Sequence, residues 1–446
     1  MRRALGVVET AGLSVAMMAP TMAMAMNNGL AAAYAGPSVP LAYVLAFATV
    51  GCVAFAFVTF ARVYASAASV GEFNARGLGP FAGRLSAWAL LLVYVLFAVG
   101  AAALFGTFAA GDLAYAGVKL PWGPLALLCL AVVAYVGLRP ARTSSRSMLL
   151  VEGVSVVAIV ALSVAILMRG GAHGVSLTPF VPKGSALGGL GLATVFALMS
   201  FGGFEGAAVL GAESMLPTRT IPRALIASVA LAGILYVFVA YAQTIGFGID
   251  ARGVAAFAGS ASPLGDLATR YANAPLAMFV MAGAAISSFA AALAPATGAA
   301  RLVYALALDG RLPARFARID AASGTPAFAY RVVLAACVAL LLAFAVAGAS
   351  AGDTYAAVGS VAVLALVLVY GAVQVSALRL FCAHWNLAQR AIPVFALVSL
   401  AVTFLANAIP VPHGPAALYP YIAFAWLALG AFVLRSRATV AASAEA

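Results

Sequence analysis

The stretch "ATVFALMSFGGFEGAAVLGAESM" (residues 193–215) places an acid inside an apolar segment. The segment is long enough to cross a bilayer, which takes about 20 mostly apolar residues in a helix. Glu205 follows Gly202 and Gly203 and precedes Gly206. Each glycine loosens a helix by about 1 kcal/mol relative to alanine, and an acid is retained in a span where it faces a cavity, a partner or a proton. The stretch therefore predicts a broken membrane helix with Glu205 at a functional site.

The whole chain has the composition of an integral membrane protein. Its 446 residues are 65% hydrophobic and 8% charged, with a mean hydropathy of +1.10, whereas soluble domains are about 25% charged. The apolar runs have the length of spanning helices and lack the alternation of an outer-membrane barrel. We predict an all-α membrane fold of about twelve transmembrane helices, centred near residues 21, 51, 95, 129, 158, 200, 236, 288, 338, 366, 399 and 426.

The basic residues are divided unevenly between the two ends of these spans. Of the 24 Lys and Arg residues, 19 fall on the side of the N-terminus. The five on the opposite side are Lys119, Arg169, Lys183, Arg252 and Arg270. Because the side richer in Lys and Arg is cytoplasmic, we expect a multi-pass protein of the cytoplasmic (inner) membrane with both termini in the cytoplasm. The lipid bilayer, and not nucleic acid, then explains the net charge of +12.

The first predicted span is also broken, at Ala19-Pro20-Thr21. Proline removes a backbone donor and clashes with the preceding turn, so we predict half-helices at about 9–18 and 21–34. Two interrupted helices five spans apart indicate a transporter with inverted repeats. We predict a single transmembrane transporter domain, 1–446, with one repeat at about 8–168, a second at about 187–380, and two further helices within about 391–435.

The two breaks together form a candidate substrate site. A half-helix that begins near Thr21, with Pro20 in its first turn, would present free N–H groups that favour a carboxylate. Carbonyls at the end of the preceding half-helix, near Met18, and at Phe201 and Gly202 would favour an ammonium group or Na⁺. A zwitterion with an acid at one end and an amine at the other fits this arrangement.

Glu205 can act in two ways at such a site. It can gain and lose a proton across the transport cycle, or it can stay charged and hold an amine. The structural alternative is a protonated acid that bridges helix backbones.

Other polar residues in the spans are weaker candidates. Ser287 and Ser288 could donate oxygens to a sodium ion, although such serines more often bond their own helix. Tyr94 in span 3 and Tyr355 and Tyr370 in span 10 are candidates to line a cavity. We interpret Glu152 as an interfacial ion-pair partner of nearby arginines.

Several function classes are excluded or disfavoured by missing motifs. The chain contains no G-x-x-x-x-G-K-[ST], H-E-x-x-H or G-x-S-x-G, so we expect neither an ATPase nor an enzyme. Its four cysteines are scattered, and we expect no cofactor or metal. Transport must then be driven by an ion gradient or by exchange. A non-transporting substrate sensor is the alternative from another class, although the chain has no signalling domain.

Three stretches resemble permeases of the amino acid–polyamine–organocation (APC) superfamily. The stretch "FGGFEGAAVLGAESMLPTRTIPRA" (201–224) resembles the sixth-helix signature of this superfamily. The stretch "ATGAARLVYALALDGRLPARFARIDAASGTPAFA" (296–329) resembles its eighth helix and the loop that follows. The stretch "GEFNARGLGPFAGRLSAW" (71–88) is similar to the segment that enters helix 3.

The resemblance implies the leucine-transporter type fold, with 5+5 inverted repeats, two C-terminal helices and alternating access. It implies secondary transport of amino acids or related amines, commonly with protons or by exchange. It also extends the candidate site beyond what the breaks alone indicate. With Tyr94, the substrate-binding residues would be Met18, Ala19, Pro20, Thr21, Phe201, Gly202, Gly203, Phe204 and Glu205.

Two departures from the superfamily pattern bear on the mechanism. Many members have a G-S-G-like triplet at the first break, where this chain has Ala19-Pro20-Thr21. An amine without a carboxylate therefore becomes a possible substrate. Some members use a fifth-helix lysine in place of a bound sodium ion, but the lysines here are Lys119 and Lys183, both predicted to be external. We expect an amino-acid symporter coupled to protons through Glu205, with a polyamine or other amine carrier or exchanger as the alternative.

Overall fold

A computed structural model provides the fold of this chain. The residues that it describes are 6–64, 70–115, 117–139, 144–182, 186–209, 214, 216–320, 324–409 and 414–444.

The first half of the described chain forms spans 1 to 6. Two helices share span 1 and two share span 6, whereas α4 is a short helix between spans 2 and 3. The helices are α1 (Val7–Met17), α2 (Pro20–Ala35), α3 (Val39–Val63), α4 (Val70–Leu78), α5 (Pro80–Tyr115), α6 (Trp122–Gly137), α7 (Ser144–Met168), α8 (Ala186–Ser200) and α9 (Gly206–Val209).

The second half forms spans 7 to 12, and the short helices α11 and α12 connect spans 7 and 8. These helices are α10 (Pro217–Phe247), α11 (Ala251–Gly259), α12 (Pro263–Tyr271), α13 (Ala274–Leu308), α14 (Ala327–Val346), α15 (Ala351–Phe381), α16 (Leu387–Ala406) and α17 (Tyr419–Ala444). Short 3-10 turns lie at Gly36–Ser38, Thr178–Phe180, Ala314–Ala317, Cys382–His384 and Gly414–Leu418.

The helices confirm the predicted multi-span membrane fold. Within the described residues, nine helical stretches are long and apolar enough to cross a membrane. One of them, Val7–Val63, is 57 residues long and contains both span 1 and span 2. Two shorter apolar helices, Trp122–Gly137 and Gly189–Ser200, occupy the places of spans 4 and 6. Each predicted span centre falls within a helix.

The spans differ in how much of their surface faces protein. In α5 and α15, 72% of the most apolar 18-residue stretch is buried, against 22% in the stretches that contain α16 and α17. The long helix α5 packs against α13 and α15, and α3 packs against α10. Spans 3, 8 and 10 therefore build the interior, and spans 11 and 12 lie at its edge with apolar faces outward.

Polar caps fix several helix starts. The Asn273 side chain accepts a hydrogen bond from Leu276 N at 2.9 Å, and the Ser350 side chain accepts one from Asp353 N at 3.0 Å. Asn386 and Gln389 cap one another's backbone N–H groups at the start of α16. Each cap satisfies a donor that the first turn of a helix leaves free.

The edge helix α17 is fastened to the interior by two tryptophans. Trp88 on α5 and Trp426 on α17 stack with their ring centroids 4.8 Å apart. Trp88 Nε1 donates to the Trp426 carbonyl at 3.0 Å, and Trp426 Nε1 donates to the Trp88 carbonyl at 2.8 Å. Both indole donors are thereby satisfied away from water, as buried tryptophan requires.

Candidate functional site

The break in span 1 lies where Pro20 predicts it. Helix α1 ends at Met17, and α2 begins at Pro20. Ala19 connects them with φ 47° and ψ 59°, and it is the non-glycine residue with positive φ among the described residues. Proline disfavours the right-handed helical region for the preceding residue, and here the backbone turns at Ala19 before Pro20 starts the next helix. The predicted half-helices at about 9–18 and 21–34 are confirmed.

The first donors of α2 are occupied by side chains from two other spans. Pro20 has no N–H group, Thr21 N donates to Glu152 Oε1 at 2.8 Å, and Met22 N donates to Ser287 Oγ at 3.2 Å. Our expectation of free N–H groups at this helix end is wrong for this conformation. A carboxylate does lie at the positive end of the helix, as the helix dipole favours, but it belongs to the protein.

Glu152 is the residue that the sequence analysis misplaced. Its side chain lies on α7 and is 8% exposed, so the interpretation as an interfacial ion pair is wrong. Arg142 and the Arg146 side chain lie outside the described residues. The position of Glu152 within its span could have indicated this. Glu152 follows Ser144, the first residue of α7, by eight positions, which places it about 12 Å along the helix from its start.

The break in span 6 is longer than the break in span 1. Helix α8 ends at Ser200 and α9 begins at Gly206, and the five residues between them form turns. Phe204 N donates to Phe201 O at 3.1 Å, and Gly206 N donates to Gly203 O at 2.9 Å. The Phe201 carbonyl, expected to be open to an ammonium group, is therefore engaged in a turn.

Glycines at the second break let the end of α1 approach it. Gly203 has φ 100°, and a Cβ atom there would lie 2.8 Å from the Met17 carbonyl oxygen. A Cβ atom on Gly206 would clash with the Met17 side chain. Ser14 on α1 donates to the Phe204 carbonyl at 2.8 Å. The two breaks are therefore in direct contact, as a shared site requires.

Glu205 lies at this contact with a phenol as its partner. Its side chain is 6% exposed, and Oε2 accepts a hydrogen bond from the Tyr370 hydroxyl of α15 at 2.8 Å. Tyr94 of α5 is close enough to interact electrostatically with both groups. The Phe204 ring packs on Tyr370 with centroids 5.5 Å apart. The structure thus brings the predicted Tyr94, Phe204 and Glu205 into one aromatic-walled region.

The two candidate sodium-binding serines face different partners. Ser287 Oγ lies at the start of α2, where it accepts the Met22 N–H. Ser288 Oγ donates to the Ala284 carbonyl of its own helix at 2.7 Å, which is the ordinary role of a serine in a span. The Ser287 hydroxyl therefore lies at the first break, whereas the Ser288 hydroxyl is bonded to its own helix.

Several buried polar atoms that lie on α2 or next to it lack a hydrogen-bond partner. A buried polar group normally has a hydrogen bond, and each exception calls for an explanation. Asn27 and Asn28 use their amide nitrogens on Ser200 and Gln243, at 2.7 and 3.1 Å. The side-chain atoms in this region that have no hydrogen-bond partner among the described residues are Thr21 Oγ1, Asn27 Oδ1, Asn28 Oδ1, Ser155 Oγ and Tyr236 OH. Sequence analysis missed Asn27, Asn28 and Ser155.

Comparison with known proteins identifies the family of the chain. The family described as Amino acid permease matches residues 5–433. The branched-chain amino acid permease BcaP of Lactococcus lactis subsp. cremoris is 25% identical over 333 residues, which cover 69% of each chain. The low-affinity putrescine importer PlaP of Escherichia coli is 23% identical over 350 residues, covering 76% of this chain and 74% of that protein.

A further relative is the L-methionine/branched-chain amino acid exporter YjeH of Escherichia coli. It is 29% identical over 236 residues, which cover 53% of this chain and 55% of that protein. These relatives are transporters and not enzymes, in agreement with the sequence analysis. Because the family match covers nearly the whole chain, the protein is a multi-pass membrane transporter that belongs to the amino acid permease family.

Proposed function

We propose that the chain moves an amino acid across the cytoplasmic membrane by alternating access, in symport with a proton that Glu205 carries. The observation that carries the proposal is Glu205 itself, an acid in the unwound middle of a span with Tyr370 as its hydrogen-bond partner at 2.8 Å. An ionisable group at that depth marks a proton or substrate path in transporters. The branched-chain amino acid permeases among the relatives support an apolar amino acid, so leucine is the first substrate to test.

The aromatic and methionine side chains at the breaks fit such a substrate. Met18, Phe201 and Phe204 are each at most 3% exposed, and they come from both breaks. An aliphatic side chain is favoured among these groups.

The test is uptake of leucine by Glu205→Gln in proteoliposomes. Glutamine keeps the shape of the side chain and can still accept from Tyr370, but it cannot carry a proton. We expect pH-driven uptake to be abolished while leucine–leucine exchange is partly retained. Asp266→Asn, at an exposed acid of α12, is the matched control and should transport like the parent protein. Full pH-driven uptake by Glu205→Gln would remove Glu205 from the coupling step.

Sodium coupling is examined in the same vesicles. With sodium replaced by choline on both sides, a proton symporter keeps its uptake. Loss of uptake under that condition would direct attention to Ser287, whose hydroxyl lies at the first break. Binding of leucine without any flux would instead support a substrate sensor.

A second candidate substrate is an amine without a carboxylate. Glu152 favours it, because its carboxylate already occupies the Thr21 N–H where a substrate carboxylate would bind. The putrescine importer among the relatives points the same way. Putrescine that competes with leucine uptake more strongly than unlabelled leucine would support this alternative.

We also propose that both termini are cytoplasmic, on the basis of the uneven division of Lys and Arg. A reporter that is active only in the cytoplasm, fused after residue 446, should be active. Activity of the corresponding periplasmic reporter at the same position would reverse the orientation.

A further inference from the structure

Glu152 holds the position that a substrate carboxylate would need. Helix α2 is 16 residues long, and its N-terminal donors converge on the Glu152 carboxylate and the Ser287 hydroxyl. An amino acid whose carboxylate binds at this helix end must therefore displace Glu152 or share the donors with it. Two ionised carboxylates at one helix end repel each other, and only one can accept the Thr21 N–H along its axis.

Unpartnered hydroxyls beside Glu152 show that this helix end is not fully satisfied. Ser155 Oγ has no hydrogen-bond partner among the described residues, and the Thr21 hydroxyl faces the Glu152 carboxylate without a hydrogen bond of good geometry; both residues are at most 1% exposed. The two side chains meet at Gly283 of α13, where an added Cβ atom would clash with Ser155 Oγ and lie 3.8 Å from the Thr21 methyl group. These hydroxyls can accept a hydrogen bond from the O–H group of a neutral Glu152 and donate one to a carboxylate that takes its place.

Among the residues that the structure describes, the neighbours of Glu152 provide no fixed opposite charge. From the packed helices, Thr21 of α2 and Ser287 of α13 face it with hydroxyls, and Tyr236 of α10 faces it with a phenol. The charged groups described on the helices that pack against α7 are exposed. They are Glu9 of α1, Arg219 and Arg223 of α10, Asp266 and Arg270 of α12, and Arg301 of α13.

We propose that Glu152 is a built-in competitor for the carboxylate of the transported amino acid, so that this carboxylate binds to the start of α2 only after Glu152 has taken up a proton. The inference rests on the proposed amino-acid substrate. Glu152 is then a positioning and specificity residue that makes substrate binding depend on pH. Glu205, on the other break, would affect amino acids and simple amines alike.

The prediction separates ligands by the presence of a carboxylate. Leucine and 3-methylbutylamine share the isobutyl group and the amine, and only leucine carries a carboxylate. In the parent protein, leucine affinity should fall about ten-fold per pH unit while Glu152 ionises, because binding takes up one proton. The affinity for 3-methylbutylamine should not follow that slope.

The experiment measures binding of both ligands to purified full-length protein between pH 5 and 8. Glu152→Gln should bind leucine with little dependence on pH, at the affinity that the parent protein reaches at low pH. Glu9→Gln changes an exposed acid on α1 and should keep the parent slope. Glu152→Asp retains the charge and should also keep the parent slope. This variant separates loss of the charge from a general disturbance of the fold by a substitution at this position.

Three outcomes overturn the inference. If leucine affinity in Glu152→Gln falls with pH as steeply as in the parent protein, Glu152 does not compete with the substrate carboxylate. An identical pH slope for 3-methylbutylamine in the parent protein would assign the dependence to another group. Weaker 3-methylbutylamine binding by Glu152→Gln, with leucine unchanged, would show that Glu152 holds the amine. If no amino acid binds or exchanges at any pH in the parent protein or the variant, the proposed substrate class itself fails, and that result differs from the other three.

Discussion

The two breaks hold their carboxylates in different ways. At the first break, the unwound segment contributes no acid, and Glu152 reaches it from α7, 131 residues away in the chain. At the second break, Glu205 belongs to the unwound segment itself and is held by Tyr370 of α15. A carboxylate that reaches the break from another helix separates from it when that helix shifts. An acid that belongs to the unwound segment moves together with that segment. This difference supports the two roles proposed above, competition with the substrate for Glu152 and proton coupling for Glu205.

The backbone geometry of the breaks differs as well. Gly203 has φ 100° and lies against the Met17 carbonyl, whereas Ala19 has φ 47° without being a glycine. The second break therefore requires a glycine at position 203, whereas the first break accommodates the Cβ atom of Ala19. Three substitutions test this contrast.

The largest effect is expected for Gly203→Ala. A Cβ atom at this φ is strained by about 1–3 kcal/mol, and it would also lie 2.8 Å from Met17 O. We expect a lower unfolding temperature in detergent and loss of leucine uptake, because α1 must move away from the second break. Gly12→Ala on α1, where an added Cβ atom meets nothing within 4 Å, should leave both properties intact. Equal behaviour of the two variants would mean that the close approach is not needed.

A smaller effect is expected for Tyr370→Phe. The substitution removes the hydrogen bond to Glu205 Oε2, and a bond to a charged group contributes about 1.5–3 kcal/mol. Uptake of leucine should fall about ten-fold or more. Tyr330→Phe removes a bond of the same length, to the Val133 carbonyl at 2.8 Å, but between α14 and α6, neither of which contains a break. It should lower stability with little effect on uptake per folded protein, and an equal loss in both variants would contradict a role for Tyr370 at Glu205.

The smallest effect is expected for Ala19→Gly. Glycine relieves a left-handed alanine of about 1–2 kcal/mol but loses more chain entropy on folding, by about 0.5–1 kcal/mol. The unfolding temperature should therefore stay nearly constant or rise slightly. Ala23→Gly, inside α2, has no such relief and should destabilise the protein by about 1 kcal/mol. A similar decrease in both variants would show that Ala19 is not strained.

Hydropathy and local backbone rules were sufficient to predict the spans and both breaks. Pro20 removes a backbone donor and clashes with the preceding turn, although Pro222, Pro295 and Pro393 lie inside continuous helices of the same chain. Glu205 is conspicuous because its neighbours are apolar. Glu152 was not predicted as a site residue, since its hydrogen bond depends on how α7 packs against α2. The bond between Asn27 and Ser200 likewise joins positions 173 residues apart. The pattern of one helix contains no information about which side chain of another helix completes it.

The strain at Ala19 is free energy that a second conformation would release if Ala19 took an ordinary φ there. A residue strained by about 1–2 kcal/mol in one conformation and relaxed in another shifts their ratio by about 5- to 30-fold. In any conformation where Ala19 takes an ordinary φ this strain is relieved, so the parent chain reaches such a conformation at a lower free-energy cost than a chain with an unstrained hinge. The effect would be independent of the substrate and the proton.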